Sequence, residues 1–440
     1  MTNKLPKAAD GRRNFLKGAA FLGGSAATLA GLTSQAQAQD ATPIPIGCVS
    51  PLTGFVAADG IEFRNGLEMA AEEINAMGGI LGRPIELHFE DSESKGDDVV
   101  TQAAQRLVDR SEVHAIIAGY NLENGAVLLD VAADSGIIAM HANTVVLHDE
   151  TVKGNPDRYW GGFQIDPPEI FYGTAFLNFV KNLVDTGQMT LVNNKIAIIT
   201  GPGAYSGNIA NAMKDGAASV GLEVSLFESV NVPISEWGPT LAKLRADPPG
   251  VIAVTHFYTQ DQAQFMLQFA TDPTPSLVYM QYGASLAAFR DIAGPSSEGV
   301  VYATTIGALQ DEIGKDFSAR YIAKFGSTSS PNSGGQTYYA LHSYAVAASI
   351  AGGTGAPFDD VQNRKVAAAL MSNIYRGVMG ASRFVPETHS AYSYPNQTND
   401  PSLGMPHIFS QIQDKAKDGL LIGPVPYDVA KFVKPGWIKA

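Results

Sequence analysis

Polar and aromatic side chains recur where the predicted strands of this sequence end. They occupy residues 50–53, 120–124 and 141–144 in the first half of the chain, and residues 205–206, 256–258 and 281–282 in the second. Since the carboxyl ends of parallel strands meet at one edge of a sheet, this pattern predicts two polar rims that face each other. Helix amino ends bind carboxylates, acidic side chains bind ammonium groups and rings bind apolar tails. The rims therefore suit a small polar solute.

Two short motifs offer enzymatic alternatives, and both depart from their patterns. Residues 201–207 join a strand to a helix and nearly match a dinucleotide fingerprint, but the third glycine is one place late. Ser285 resembles the serine of a nucleophile elbow, except that Ala287 stands where a glycine belongs. The first motif is better explained as a turn that faces the cleft. The second leaves a secreted serine hydrolase as an alternative, which replacement of Ser285 would test.

The eight histidines show no metal-ligand spacing, so the sequence predicts neither a metal site nor another cofactor. His256 directly follows a predicted strand at residues 251–255, at the edge where a ligand would bind. This histidine is therefore either a ligand contact or a residue that supports the fold.

The elements that must position these residues alternate between strand and helix. The first unit has a strand at residues 44–50, a helix over residues 62–77 and a strand at residues 85–91, with Asp59 and Glu62 spaced as a capping box. A second series with the same order begins at Lys195. Residues 141–157 look irregular, and residues 377–384 look like a hairpin. This alternation predicts an α/β fold with parallel sheets.

The chain begins with features of an export signal. Arg12 and Arg13 precede an uncharged apolar run, and Ala36-Gln37-Ala38 fits a cleavage site, so residues 1–38 are predicted to be a twin-arginine signal peptide. The segment carries five basic side chains and one acidic one, so its removal lowers the net charge from −13 to −17. That charge disfavours nucleic acid and anionic membranes as partners. One cysteine, Cys48, excludes intrachain disulfides.

Several motifs of the first unit resemble one family. They are the run Ile46-Gly-x-x-x-Pro51-Leu-Thr-Gly54, the helix from Gly66 to Asn75, the turn from Gly78 to Arg83, and Asp91 after a strand. The chain resembles the periplasmic solute-binding proteins of ABC importers, in the group that binds branched-chain amino acids, amides and urea. The resemblance implies a type I periplasmic binding fold, in which two Rossmann-like lobes with parallel sheets are joined by three crossovers and close over a solute without performing chemistry.

The resemblance also divides the chain into lobes. Residues 39–160 and 301–376 are expected in lobe 1, and residues 161–300 and 377–440 in lobe 2.

The resemblance further implies individual roles at the site. The loop of residues 120–124 is expected to hold a carboxylate or amide, Ala142 and Thr144 to contact it, and Tyr205 to supply a ring. The glutamate that receives an amino group in branched-chain amino acid binders is absent near Gln281, so Asp59 or Glu123 would take that role, or the ligand is an amide or an acid. The predicted ligand-binding residues are Asp59, Tyr120, Asn121, Glu123, Asn124, Ala142, Thr144, Tyr205, His256, Gln281 and Tyr282.

The function expected from the resemblance is therefore solute capture and not catalysis. The protein would bind a small polar solute in the periplasm, after export by the twin-arginine machinery, and deliver it to an ABC permease and its ATPase. A sensory receptor subunit of the same fold is the main alternative, and the identity of the solute stays open.

Overall fold

The computed structural model describes residues 42–122 and 126–439. The predicted signal peptide lies outside the described residues, as do Glu123 and Asn124. Within the described ranges, no helix combines the length and apolar character needed to cross a membrane.

The first sheet contains five parallel strands in the spatial order β2-β1-β3-β4-β5. In β1, every residue from Ile46 to Ser50 is buried, including Cys48, because helices cover both faces of the sheet. The carboxyl ends of β1 and β2 are in register, with Ser50 opposite Asp91. The strands are β1 Ile44–Ser50, β2 Ile85–Asp91, β3 Ala115–Ile117, β4 Ile138–His141 and β5 Gly162–Gln164.

The second sheet contains seven strands in the order β16-β15-β10-β9-β8-β6-β7. The five strands from β10 to β7 are parallel, whereas β15 runs antiparallel to β10 and β16 antiparallel to β15. These strands are β6 Lys195–Thr200, β7 Glu223–Ser229, β8 Val251–Val254, β9 Leu277–Gln281, β10 Val301–Thr304, β15 Ile408–Gln411 and β16 Leu420–Gly423. Two further pairs are β11 Tyr375–Gly377 with β12 Gly380–Ser382, and β13 Ser393–Tyr394 with β14 Met405–Pro406.

Twelve α-helices in the described chain connect and cover these strands. The closest helix pair is α1 and α11, which pack side by side over the first sheet. The helices are α1 Ala57–Ala76, α2 Asp97–Ser111, α3 Val127–Ser135, α4 Val146–Gly154, α5 Ile170–Asp185, α6 Ala204–Gly216, α7 Gly238–Ala246, α8 Thr259–Phe269, α9 Ala287–Ala293, α10 Glu312–Phe325, α11 Pro331–Ile350 and α12 Asp360–Ser372.

The chain crosses between the sheets three times. It leaves the first sheet after Gln164, which ends β5, and returns to the first core after Thr304, where Ile306 and Ala308 are buried. It crosses again between α12 and β15. The boundaries expected at 160/161 and 300/301 place β5 in lobe 2 and β10 in lobe 1. In the structure, however, β5 pairs in the first sheet and β10 in the second. We therefore propose lobe boundaries after Gln164 and Thr304.

Local structure differs from the sequence prediction in two places that matter for the site. Helix α1 begins at Ala57, so Asp59 lies inside its first turn and makes no capping hydrogen bond. The stretch predicted as irregular contains α4, whose buried side chains are only His148 and Val152, too few to produce a clear periodic pattern. The predicted hairpin near residue 380 is confirmed by the pairing of β11 with β12.

The packing of α1 against α11 depends on Gly66. A Cβ atom at this position would lie 2.0 Å from the Gly334 carbonyl oxygen of α11, a contact that requires the two helices to separate. We expect Gly66→Ala to lower the free energy of unfolding by about 1 to 3 kcal/mol, the usual range for overpacking. Denaturant titration of the purified protein would measure the change.

Gly207 of α6 provides the matched control. It is also helical, but a Cβ atom there would meet nothing within 4 Å. Gly207→Ala should therefore leave stability unchanged or raise it by up to about 1 kcal/mol, as alanine favours a helix over glycine. If both variants lost the same free energy of unfolding, the close approach of α1 and α11 would not be the reason that position 66 requires glycine.

Candidate functional site

A cavity of about 730 Å³ lies between the carboxyl-end rims of the two sheets. The first rim supplies the segments that follow β3 and β4, and the second supplies the amino end of α6 and the segments that follow β8 and β9. Ile306, just beyond β10, also lines it. The volume lies within the range of roughly 300–1,000 Å³ that is typical of small-molecule sites.

The predicted site residues fall into three groups. Six of them line the cavity: Tyr120, Asn121, Ala142, Thr144, Tyr205 and Tyr282. Asp59, His256 and Gln281 lie behind its wall and are buried. Glu123 and Asn124 lie outside the described residues.

Asp59 is the acceptor at the centre of a buried hydrogen-bond network. Its Oδ2 accepts from the Tyr120 hydroxyl (2.6 Å), and its Oδ1 accepts from the hydroxyls of Ser333 (2.7 Å) and Tyr282 (3.2 Å). Burial raises the pKa of the Asp59 carboxyl, although the three hydroxyls oppose this shift. Tyr282 follows a strand of the second sheet, so the network joins the two lobes. Asp59 thereby holds two tyrosines at the cavity wall.

The backbone of Tyr282 is strained, with φ at 48° and ψ at −55°. Non-glycine residues rarely adopt positive φ, and such strain persists only where the surroundings enforce it. Gln262 helps to enforce this conformation. Its Nε2 donates to the carbonyl oxygens of His256 (2.6 Å) and Gln281 (2.8 Å), and these bonds hold the ends of β8 and β9 together.

Gln281 positions Tyr205 and does not line the cavity. Its Nε2 donates to the Tyr205 hydroxyl (2.9 Å), and its Oε1 accepts from the Tyr279 hydroxyl. The amide is therefore satisfied on both sides, and it fixes the ring of Tyr205 at the cavity wall.

His256 is buried behind the cavity wall. Its ring stacks on Trp237 with centroids 6.0 Å apart, and neither ring nitrogen has a hydrogen-bond partner in the described chain. Burial lowers the pKa of His256 to about 4, so the imidazole is neutral near pH 7. Of the two interpretations that the sequence left open, this position behind the wall favours the structural one.

Three acidic residues that are not among the predicted site residues line the cavity. Asp97 begins α2, Glu150 lies on α4 and Glu169 precedes α5. Glu169 is buried, and its carboxylate accepts from the Val146 N–H (2.6 Å) and from Asn208 Nδ2 (2.7 Å). Burial raises the pKa of Glu169 to about 7. Two prolines precede Glu169, a pattern typical of the start of a helix, so the sequence alone gives no sign that this carboxylate faces a cavity.

A fourth carboxyl, Asp166, lies next to the wall residue Thr144. Its Oδ2 accepts from the Thr144 hydroxyl and more weakly from that of Thr305 (3.3 Å), while its Oδ1 has no partner in the described chain. Burial raises the pKa of Asp166 to about 8, with a smaller contribution from the charge of Glu169. Asp166 is therefore largely protonated at neutral pH.

Aromatic rings from both lobes form the apolar part of the wall. Phe257 lies edge-on to Tyr205 (centroids 5.5 Å apart) and to Tyr120 (6.2 Å), and Tyr120 lies edge-on to Tyr282 (6.4 Å). Such edge-to-face pairs are favoured by the ring quadrupoles. Phe257 and Tyr282 belong to the second lobe and Tyr120 to the first, so the rings also bridge the cleft.

The motifs that suggested enzymes have other roles in the structure. Residues 202–204 form the turn into α6 and line the cavity, with Gly203 at φ 96°. The Ser285 hydroxyl is buried and has no hydrogen-bond partner among the described residues, which gives it no base.

Two α/β lobes, linked by three crossings and facing each other across a cavity lined from both sides, define the class of proteins that bind a solute in an inter-lobe cleft. Residues 43–394 match the sequence profile described as "Periplasmic binding protein", and the chain belongs to this family. The predicted resemblance and fold class are confirmed. The family consists of solute-binding proteins.

Relatives of this chain carry related descriptions. It is 66% identical to a structure described as a putative branched-chain amino acid ABC transporter from Silicibacter pomeroyi, with a TM-score of 0.87, over 90% of this chain and 100% of that one. It is 27% identical over 279 residues to the Leu/Ile/Val-binding protein homolog 3 of Brucella melitensis, covering 62% of this chain and 70% of the relative. The match to BraC3 of Rhizobium johnstonii, at 26% identity, spans 48% of this chain and about half (53%) of that relative.

The fold is also shared with LivJ of Streptococcus pneumoniae, whose structure is described as a complex with isoleucine. That likeness has a TM-score of 0.70 at 19% identity, over 87% of this chain and 100% of the other. At this identity it supports the fold alone.

Proposed function

We propose that the protein is the periplasmic binding component of an ABC importer. It captures a small polar solute between its lobes and presents the closed complex to a permease and its ATPase. The observation that carries the proposal is the cavity lined by both rims, with the Asp59 network spanning them. The functions in the names of the relatives support it, as does the twin-arginine signal predicted in residues 1–38, which would direct export.

The mechanism follows from the division of the cavity wall between the lobes. A solute contacts Tyr120 and Thr144 on one rim and Tyr205 and Phe257 on the other only when the lobes are closed. It therefore binds the closed state more tightly and shifts the open–closed balance toward it. The hydrogen bond from Tyr282 to Asp59 joins the two lobes, and in this proposal it breaks when they separate and so adds to the same bias. Release requires the lobes to separate, which the permease would promote.

The charges of the wall support a solute that carries an amine or an amide. Asp97, Glu150 and Glu169 bring up to three negative charges to the cavity. Because Asp97 and Glu150 are exposed, an ion pair with either of them contributes at most about 1 kcal/mol. An acidic solute without a cationic group would meet repulsion of the same order.

Calorimetric titration with amino acids, amides and amines tests this function. We expect one solute class to bind without chemical change, and the radius of gyration from small-angle scattering to fall when it binds. At a ligand concentration 100 times the dissociation constant, the closed complex should be more stable by about 2.7 kcal/mol.

Two outcomes would contradict the proposal. Recovery of a chemically altered ligand would indicate an enzyme, and in that case Ser285→Ala should abolish the turnover. Unchanged scattering with the ligand bound would exclude lobe closure as the mechanism. Stimulation of ATP hydrolysis by the reconstituted permease would distinguish an importer from a sensory receptor of the same fold.

A further inference from the structure

We propose that the cavity takes an organic cation, an amine or guanidinium compound that carries an apolar group and no carboxylate. This inference rests on the proposed binding function and narrows it from small polar solutes to one chemical class. The charges, the hydrogen-bond donors and the rings of the cavity wall all favour this class.

The charged side chains of the wall all have the same sign. Asp97, Glu150 and Glu169 come from three different helical regions and converge on one cavity, whereas the described residues that line it include no lysine, arginine or histidine. Such a site concentrates cations and repels anions. A carboxylate on the ligand would therefore need donors from the backbone or from neutral side chains.

Four donors of the first rim, among the residues that the structure describes, are already engaged within the protein. The Thr144 hydroxyl donates to Asp166, and three backbone N–H groups donate to side chains: Asn121 to Asn143 Oδ1 (2.8 Å), Val145 to Gln164 Oε1 (2.9 Å) and Val146 to Glu169 Oε2 (2.6 Å). The resemblance led us to expect a carboxylate or an amide at this rim. In the structure, each of these groups can donate to a ligand carboxylate only by giving up its existing partner.

Rings complete a site suited to a cation with an apolar part. Tyr120, Tyr205, Phe257 and Tyr258 line the cavity, and aromatic faces attract ammonium and guanidinium groups. Glu169 is close to this wall, because it accepts from Asn208, which lies one helical turn after Tyr205 on α6. A charged group bound at Glu169 would thus place its apolar substituent against the rings.

The amino end of α6 favours the rival ligand, a zwitterionic amino acid. Residues 204–206 line the second rim, and the end of a helix carries about half a positive charge. Glu169, with a pKa of about 7, is only partly ionised at neutral pH, but Asp97 and Glu150 still bring more negative charge than this partial positive charge, so a net cation fits the wall better than a zwitterion.

Matched pairs of compounds with and without the α-carboxylate test the inference. The pairs are phenethylamine with phenylalanine, agmatine with arginine, and 3-methylbutylamine with leucine, each titrated calorimetrically into the full-length mature protein. We expect at least one amine to bind at least tenfold more tightly than its amino acid. If the amino acid binds equally or more tightly in every pair, the inference is overturned.

Charge-removing variants locate the cation. For the amine that binds best, Glu169→Gln should raise the dissociation constant about tenfold and Glu150→Gln about threefold, because both carboxylates line the cavity. If Glu169→Gln folds poorly because residue 169 is buried, Glu150→Gln still tests the inference, since Glu150 is exposed. The control is Glu223→Gln, at the exposed amino end of β7 and outside the cavity lining, which should change affinity less than twofold.

The outcomes separate this inference from the proposed function. If an amide or a carboxylic acid binds and closes the lobes while the amines do not, the cation class is overturned and the binding function stands. If no solute of any class binds, both fail. Amine binding that is unaffected by both Glu169→Gln and Glu150→Gln also overturns the charge argument.

Discussion

Replacement of Asp59 by alanine is expected to lower the free energy of unfolding by about 3 kcal/mol and to weaken ligand binding at least tenfold. The variant removes the acceptor for three buried hydroxyls, those of Tyr120, Tyr282 and Ser333. Each donor left without a partner costs about 1–3 kcal/mol. Affinity falls as well, because Tyr120 and Tyr282 lose the group that orients them at the cavity wall. Denaturant titration and calorimetry measure the two effects separately.

Two tyrosine variants separate the bond across the cleft from stability in general. Tyr282→Phe removes only the hydroxyl that reaches Asp59 from the second lobe, and should weaken binding about fivefold or more. Tyr338→Phe removes a hydroxyl that donates to Glu73 (2.6 Å) between α11 and α1, within one lobe, and should leave affinity unchanged. Asp59→Asn keeps an acceptor oxygen and should recover much of the stability. Equal affinities for Asp59→Ala and the unmodified protein would refute a role in closure.

Helices and strands with strong periodic patterns were predictable because they depend on neighbouring residues. Helix α2, Asp97–Ser111, is an example, since its apolar side chains recur every three or four residues and face the sheet. The rims were predictable for a similar reason: parallel strands bring their carboxyl ends to one edge, whatever the tertiary details. Six predicted residues therefore line the cavity.

The role of Asp59 could not be read from its neighbours. Its partners Tyr120, Tyr282 and Ser333 are 61, 223 and 274 residues away, and its spacing to Glu62 suggested a cap that the helix does not use. Glu150 was hidden for another reason, because it lies on a short helix with little periodicity. Acidic residues are usually solvated, so only the tertiary fold distinguishes those that converge on a cavity.

Stability above pH 6 is expected to depend on Asp166. The pKa of this buried carboxyl is about 8, above its ordinary value of 3.8, so the native state holds a proton that the unfolded chain releases. The free energy of unfolding therefore falls as pH rises toward 8 and stops falling above it. Integrated from pH 6 to pH 9, the loss from this group is about 2 to 3 kcal/mol. Glu169, with a pKa of about 7, adds a smaller loss in the same direction.

Buried histidines act in the opposite direction at lower pH. Burial lowers the pKa of His141 to about 3, of His256 to about 4 and of His407 to about 3, so protonation of the unfolded chain lowers stability as pH falls below about 6.5. The two trends together predict maximal stability between about pH 6 and pH 7. The histidines contribute equally to the pH dependence of stability in the unmodified protein and in an Asp166 variant. The difference between the two proteins therefore reports the effect of the Asp166 carboxyl alone.

Asp166→Asn should therefore flatten the decline between pH 6 and pH 9. Asparagine has the same shape, and its amide can satisfy the Thr144 and Thr305 hydroxyls without a charge. We expect similar stabilities near pH 6 and an advantage of about 2 kcal/mol for the variant at pH 9, measured by urea titration at each pH. Asp185→Asn, on the exposed face of α5, is the control and should keep the original slope. An unchanged slope in Asp166→Asn would mean that this carboxyl is ionised throughout the range, and that the space around it is more polar than its contacts indicate.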